Sequence, residues 1–173
     1  MNEKLKQRLI KAGAGGAVAI AACLAAFHEG EVKNKEGQHA VYLDPVGIPT
    51  ACRGMTGPTI KMGQTYTDDE CLVMERPRLE QAARDAKRSL RYWDRYNKWR
   101  QAALIDFAFN AGSAALAEST MAKKFNAGDE VGGCLELNRW VKARVKGELV
   151  TLNGLVTRRA DEADLCLNWK DVP

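Results

Sequence analysis

Apolar positions along the chain change their spacing twice. Residues 12–27, AGAGGAVAIAACLAAF, are an unbroken uncharged run of sixteen, eight of them Ala and three Gly. After it, EVKNKEGQHAVYLDPVGIPTACRG alternates in short stretches, interrupted at Lys35-Glu36-Gly37 and Val46-Gly47-Ile48-Pro49, and predicts a small β-rich lobe. From Thr67 the period becomes helical. Thr67-Asp68-Asp69-Glu70 has the form of a capping box, with Thr67 as N-cap and Glu70 three residues on. Pro77 is predicted to break or kink the run ECLVMERPRLEQAARDAKRSL. KWRQAALIDFAFNAG sets Ala103, Phe107 and Ala111 on one face with Leu104 and Ala108 beside them, an amphipathic core helix ending at Gly112. Further helices are predicted at 117–127, closed by Gly128, at 129–139 and at 154–168, with ELVTLN as a loop or short hairpin. The fold class is α+β: a small N-terminal β lobe and a larger helical lobe, preceded by an N-terminal apolar helix.

The apolar run has the length and flanks of a membrane segment. Lys4, Lys6, Arg8 and Lys11 precede it, an asymmetry that leaves the amino end in the cytoplasm. Sixteen helical residues span roughly 24 Å against a hydrocarbon core of ~30 Å. Leu9 and Ile10 lengthen the segment if Lys11 snorkels. Only Val18, Ile20, Leu24 and Phe27 favour insertion strongly, at about −0.3 to −0.6 kcal/mol each. Such a segment engages export machinery yet holds a bilayer weakly. Cleavage as a signal peptide would leave Glu29 almost at the new terminus, and Ile20-Ala21-Ala22-Cys23 is similar to a lipoprotein cleavage box. An uncleaved anchor that later leaves the membrane fits better, and a helix simply buried in a soluble fold is the plainest alternative. The expected division is therefore 1–27 as a releasable signal-anchor segment and 28–173 as the remaining domain.

Composition adds bounds. A chain of 173 residues suits one domain plus an appendage. A net charge of +4 and a pI near 8.8 favour anionic polymers such as peptidoglycan, nucleic acid or a membrane surface. Lys and Arg are scattered among acids rather than gathered with aromatics, so no nucleic-acid partner is expected. The five cysteines form no C-x-x-C, and His28 and His39 lack ligand spacing to them, so no metal site is expected. The four cysteines outside the apolar run allow two disulfides in three pairings, Cys52–Cys71 with Cys134–Cys166 being the simplest by order, or buried free thiols. Cys23 is left over.

Glu29 and Asp44 suggest chemistry. Glycosidic cleavage needs a carboxylic acid to protonate the leaving oxygen and usually a second carboxylate as base or nucleophile. Glu29 follows Leu24 and Phe27, an apolar approach that would keep it protonated; Asp44 precedes a Pro-containing loop, a setting that suits a carboxylate. The Thr50 hydroxyl is available to hold a water beside Asp44. Among 22 acidic residues such a pair is common by chance, so by itself it decides little.

The surrounding pattern is more specific. E-G at 29–30, Y-x-D-x-x-G-x-x-T-x-C-x-G-x-T-G from Tyr42, F-N-x-G at 109–112 and G-L-x-x-R-R-x-x-E-x-x-L-C at 154–166 together resemble the phage-type lysozymes, glycoside hydrolase family 24. The anchored start resembles the signal-anchor-release endolysins within that family. The resemblance implies a lysozyme-like fold and an N-acetylmuramidase acting on peptidoglycan for host cell lysis, without a cofactor. It assigns Glu29 as general acid, Asp44 as partner carboxylate and Thr50 as the water-positioning group, with Asn110 and Tyr42 meeting substrate. Helix-end capping is the competing role for Asn110. The enzyme would be a monomer, held transiently at the host inner membrane through residues 9–27 and released to the periplasm.

Two departures qualify the match. Glu29 lies fifteen residues before Asp44 where the family usually has nine, and a second E-G puts Glu36 eight before Asp44. Glu29 is favoured because it ends an apolar helical run, whereas Glu36 sits in a turn sequence. Met55 stands where the family often has His. A lytic transglycosylase, or an inactive peptidoglycan-binding or membrane-perturbing protein on the same fold, are the alternatives; retention of Asp44 and Thr50 argues against both. The anchored form is expected to be inactive, and release of segment 9–27 to assemble the site, with thiol exchange by Cys23 at Cys52 as a redox variant.

Overall fold

The structure is a computed structural model and describes residues 1–28, 33–44, 47–52, 54–145 and 147–169. In chain order the elements are α1 (Glu3–Ala12), α2 (Gly16–His28), β1 (His39–Ala40), β2 (Tyr42–Leu43), β3 (Pro49–Ala51), β4 (Met55–Thr56), β5 (Thr65–Tyr66), α3 (Asp68–Ser89), α4 (Lys98–Ala111), α5 (Ser113–Glu118), α6 (Thr120–Asn126), α7 (Glu130–Glu136), β6 (Lys142–Val145), β7 (Glu148–Thr151) and α8 (Asn153–Asn168). Single 3-10 turns lie at Gly13–Gly15, Trp93–Arg95 and Leu137–Arg139. The expected α+β class holds. The chain packs as two units, Met1–His28 with Leu79–Pro173, and Glu29–Arg78.

Local sequence explains most helix starts. Asn2, Asn97, Ser119 and Asp129 each accept a hydrogen bond from a backbone N–H three residues on, which satisfies a donor the helix cannot. The capping box closes as expected: Thr67 N–H donates to Glu70 Oε2 at 2.7 Å, and Glu70 N–H to Thr67 Oγ1 at 3.2 Å. Cys52–Cys71 and Cys134–Cys166 are both disulfides, and Cys23 is free.

In the helical unit the apolar N-terminal segment is part of the core. Leu5, Leu9, Ile20 and Leu24 are fully buried, beside Trp99, Leu104 and Phe107 of α4. The segment is not one helix. A 3-10 turn interrupts it, and Gly16 at φ +77° sets the second helix off in a new direction, a conformation a side chain resists. Its two ends meet again: the Met1 amino group lies 3.3 Å from Asp161 Oδ1, and His28 Nε2 lies 3.1 Å from Asp161 Oδ2. Residues 3–28 contain an 18-residue window of mean hydropathy 1.8, apolar and long enough for a membrane span, yet here they fold back on themselves.

The Glu29–Arg78 unit is built from a pair, β1–β5, and a three-stranded antiparallel sheet ordered β2-β3-β4. Val41, Ala51, Cys52, Ile60 and Cys71 form its small core. His39 is buried on β1, and its Nε2 meets Asp68 Oδ1 at 2.6 Å, while Lys33 Nζ reaches the same oxygen at 2.9 Å. That shared carboxylate ties the strand to the first turn of α3.

Three expectations differ from the structure. Pro77 does not break its helix: α3 runs from Asp68 to Ser89 through it. The carbonyl that Pro77 leaves without its usual N–H belongs to Val73, a residue 73% exposed. Helix α4 is not amphipathic. It is buried on nearly every side from Trp99 to Ala108, as the centre of the helical unit. The helix expected at 117–127 is two, divided at Ser119, whose extended backbone and capping hydroxyl start α6. Of the two readings of ELVTLN, loop or short hairpin, the structure has the hairpin, β7 pairing with β6 from Lys142↔Thr151 to Val145↔Glu148.

Candidate active site

Three of the sequence-assigned residues come together on the β2-β3-β4 sheet. Tyr42 pairs directly with Thr50 across β2 and β3, and Asp44 lies just past the end of β2. The turn between the strands is closed by Asp44 itself. Its N–H donates to Ile48 O at 3.1 Å, its carbonyl accepts from Gly47 N–H at 2.9 Å, and its Oδ1 accepts from Ile48 N–H at 2.9 Å. Gly47 at φ +83° makes so tight a turn possible. The carboxylate is therefore oriented by the turn it builds.

Thr50 is 2% exposed, and its hydroxyl donates to Ile48 O at 3.0 Å. With its hydrogen committed, Thr50 Oγ1 can only accept from a further partner. One backbone residue, Ile48, thus holds both side chains: its N–H fixes Asp44 and its carbonyl fixes Thr50. Thr50 also pairs with Thr56 of β4.

Glu29 lies outside the described residues. Glu36, the competing acid, is exposed in a turn whose backbone is held by Asn34: Glu36 N–H and Gln38 N–H both donate to Asn34 Oδ1, at 3.1 and 2.9 Å. Asn110 belongs to the other unit, in the last turn of α4. Its side chain does not cap that helix, since Gly112 N–H closes on Ala108 O and the Asn110 Oδ1 accepts instead from Arg159.

A buried charged cluster behind Asn110 had no assigned role in the sequence reading. Arg158 donates twice to Asp106, Nε to Oδ2 at 2.9 Å and Nη2 to Oδ1 at 2.7 Å. Arg159 donates to Glu162 and Asn110 and, at 3.2 Å, to Trp140 O, and its guanidinium lies 4.8 Å from the Phe107 ring centre. All four charged residues are buried. Burial pushes the Glu162 carboxyl well above the ordinary carboxylate range, and the charge of Asp106 adds to it. For Asp106 burial works the same way, but Arg158 outweighs it and holds the group below that range. Glu162 Oε1 accepts from Arg159, and no hydrogen-bond partner reaches Glu162 Oε2 among the described residues. The signal was available. Asp106 is the one acid in α4, and Arg158, Arg159 and Glu162 stand at helical spacing in R-R-x-x-E.

The phage lysozyme family model matches residues 33–162. The chain belongs to the phage lysozyme family. It is 34% identical to the SAR-endolysin of Bacteriophage PS119 over 96% of each chain. It is 33% identical to the SAR-endolysin of Enterobacteria phage P21, over 96% of this chain and 98% of that one. Among solved structures it is similar to an endolysin from Escherichia coli O157:H7 phage FAHEc1, with a TM-score of 0.73 and 29% identity over 86% of this chain and 90% of that one. The fold is lysozyme-like, and the protein is a glycoside hydrolase of the lysozyme type.

Proposed function

We propose that this phage lysozyme is an endolysin that hydrolyses the β-1,4 bond between N-acetylmuramic acid and N-acetylglucosamine in peptidoglycan. Glu29 protonates the leaving oxygen, and Asp44 with Thr50 delivers the water. The observation that carries the reading is the shared anchoring of Asp44 and Thr50 by Ile48, opposite Tyr42 on one sheet. A water whose two hydrogens go to Thr50 Oγ1 and the Asp44 carboxylate keeps a lone pair for the anomeric carbon. Thr50 suits that task because its own hydrogen is already spent on Ile48 O. Asp44 then takes the water's proton as the bond forms, while Glu29 gives its proton to the departing sugar. The exposed turn around Glu36 supports Glu29 as the acid, since a general acid needs an apolar, enclosed setting.

The proposal includes the membrane. Residues 9–27 hold the nascent enzyme at the host inner membrane, amino end in the cytoplasm, and release lets the segment fold into the body of the enzyme in the periplasm. The membrane-length window and the names of the SAR-endolysin relatives support this.

The deciding experiment digests purified peptidoglycan with the full-length protein, because Leu5, Leu9, Ile20 and Leu24 belong to the core and a truncated chain would lose it. Mass spectrometry of the products compares wild type with Glu29→Gln and Glu36→Gln. Reducing muramic acid ends that disappear only in Glu29→Gln are expected. Anhydro-sugar ends would mean a transglycosylase, and loss only in Glu36→Gln would reassign the acid.

A further inference from the structure

We propose that Arg91 and Arg95, gathered on the Tyr92 ring between α3 and α4, form a second wall-binding surface whose ligands are the free carboxylates of peptidoglycan stem peptides. The identity of the polymer rests on the muramidase reading above; the need for an oxyanion does not.

Bases are scattered over the chain as a whole, but RDAKRSLRYWDRYNKWR at 84–100 holds seven against two acids. Four of the seven have polar partners. Arg84 donates to Gln81 Oε1, Lys87 pairs with Asp94, Arg88 with Asp85, and the buried Arg100 with Glu130. Arg91 and Arg95 are exposed and meet no carboxylate among the described residues. Both guanidinium carbons lie instead against one ring, 5.7 and 4.9 Å from the centre of Tyr92. The ring offers no lone pair, so the N–H donors of both side chains remain for an oxyanion. The backbone beneath them is fixed. Arg91 N–H donates to Asn126 Oδ1 at 2.7 Å, Asn126 Nδ2 donates to Ser89 O at 2.9 Å, and Leu90 and Trp93 are buried. Cations held on a rigid turn lose less freedom on binding than loose ones, which favours a ligand.

What the surface lacks narrows the partner. Trp93, Tyr96 and Trp99 are buried, and the half-buried Tyr92 already carries two arginines, so no aromatic face is open to stack a nucleic-acid base. Among the described residues no large apolar side chain between Val73 and Val131 is exposed, so this face has nothing to insert into a bilayer. An oxyanion presented in water is what remains. Stem peptides bring carboxylates, and a guanidinium meets a carboxylate with two parallel N–H donors. The two arginines would thus hold the enzyme on the wall while the Asp44 and Thr50 site works on the glycan.

The test compares full-length protein with and without Arg91→Gln and Arg95→Gln together, at low ionic strength. Binding is read by sedimentation with intact sacculi in an Asp44→Asn background, and turnover on soluble peptidoglycan with Asp44 present. The double variant is expected to bind sacculi about fivefold more weakly, the size of two exposed ion pairs, and to keep its kcat on saturating soluble substrate. Converting the carboxylates of the sacculi to amides should bring both proteins to the same weaker binding. Equal binding to untreated sacculi would overturn the proposal, as would a fivefold loss that survived amidation. So would a loss seen on phosphatidylglycerol vesicles and not on sacculi, which would make this face a membrane contact. If protein with Asp44 and both arginines released no reducing ends from soluble peptidoglycan, the muramidase reading would fall. The sedimentation result needs no turnover and would still decide the wall-binding surface.

Discussion

Ile48 and Glu162 stand in opposite situations, the first making three hydrogen bonds in a turn and the second buried with an oxygen that has no partner among the described residues. Ile48 uses its backbone to aim two polar side chains, whereas Glu162 is buried as a fourth ionisable group beside Asp106, Arg158 and Arg159. The second has a consequence for stability. Burial and then Asp106 raise the Glu162 pKa in the folded state. The folded protein therefore keeps a proton that the unfolded chain releases at an ordinary carboxylate pKa. Its contribution is complete below the unfolded value and is lost as pH rises through the folded one. Glu162→Gln keeps a neutral side chain that can donate to Asp106 and accept from Arg159. Thermal melting across pH 5 to 9 is expected to show a smaller alkaline loss in the variant than in wild type, with similar stability at the acidic end. Parallel curves would mean that Glu162 is ionised throughout. The residues of this cluster were legible one by one, as an acid inside an apolar helix and as R-R-x-x-E, but their convergence was not. Sequence periodicity places residues on one face of one helix, and this contact joins α4 to α8, 52 residues apart. The capping box was legible in full because its four residues are consecutive, and the disulfides because few cysteines leave few pairings.

At the scale of elements, the informative failure is α4. Its apolar positions predicted one buried face; it has no exposed one until its last turn, because α2 occupies the side that an amphipathic helix would give to water. On the proposed release from the membrane, the N-terminal segment has two homes. As a membrane span its large side chains contribute only a few tenths of a kcal/mol each. In the folded enzyme, burying Leu5, Leu9, Ile20 and Leu24 contributes about 1.5–3 kcal/mol apiece relative to water, as an upper bound. A variant that strengthens one home without touching the other would separate them. Gly13 and Gly16 are unsuitable, the first because a Cβ would come within 2.9 Å of the Trp99 ring, the second because of its φ of +77°. Ala14 is exposed in the folded protein although it lies within the apolar run. Ala14→Leu is expected to delay the onset of lysis while leaving the melting temperature of the released protein within about 2 °C, as for most surface substitutions. Unaltered lysis timing would count against membrane retention as the controlling step.

For the whole molecule, the division into two units sets how stability is distributed. The Glu29–Arg78 unit has about 50 residues, near the size at which a hydrophobic core alone is marginal. Its core among the described residues is Val41, Ala51, Cys52, Ile60 and Cys71, so two of the five buried apolar positions are the halves of its disulfide. The helical unit carries Cys134–Cys166 within a far larger core that includes Trp99, Phe107 and Phe125. Closing chain segments of 19 and 32 residues stabilises each by a comparable amount, about 3–4 kcal/mol on chain-entropy grounds. Equal contributions then have unequal effects, because one unit has much more in reserve. In the full-length protein, Cys52→Ser with Cys71→Ser is expected to abolish amide protection on the β2-β3-β4 sheet while α4 and α8 remain protected. Cys134→Ser with Cys166→Ser should lower the melting temperature and leave protection in both units. Hydrogen exchange read by mass spectrometry distinguishes the two. Loss of Asp44 and Thr50 anchoring with the first pair would abolish activity without unfolding the helices, whereas uniform loss of protection across both units would show that they unfold as one.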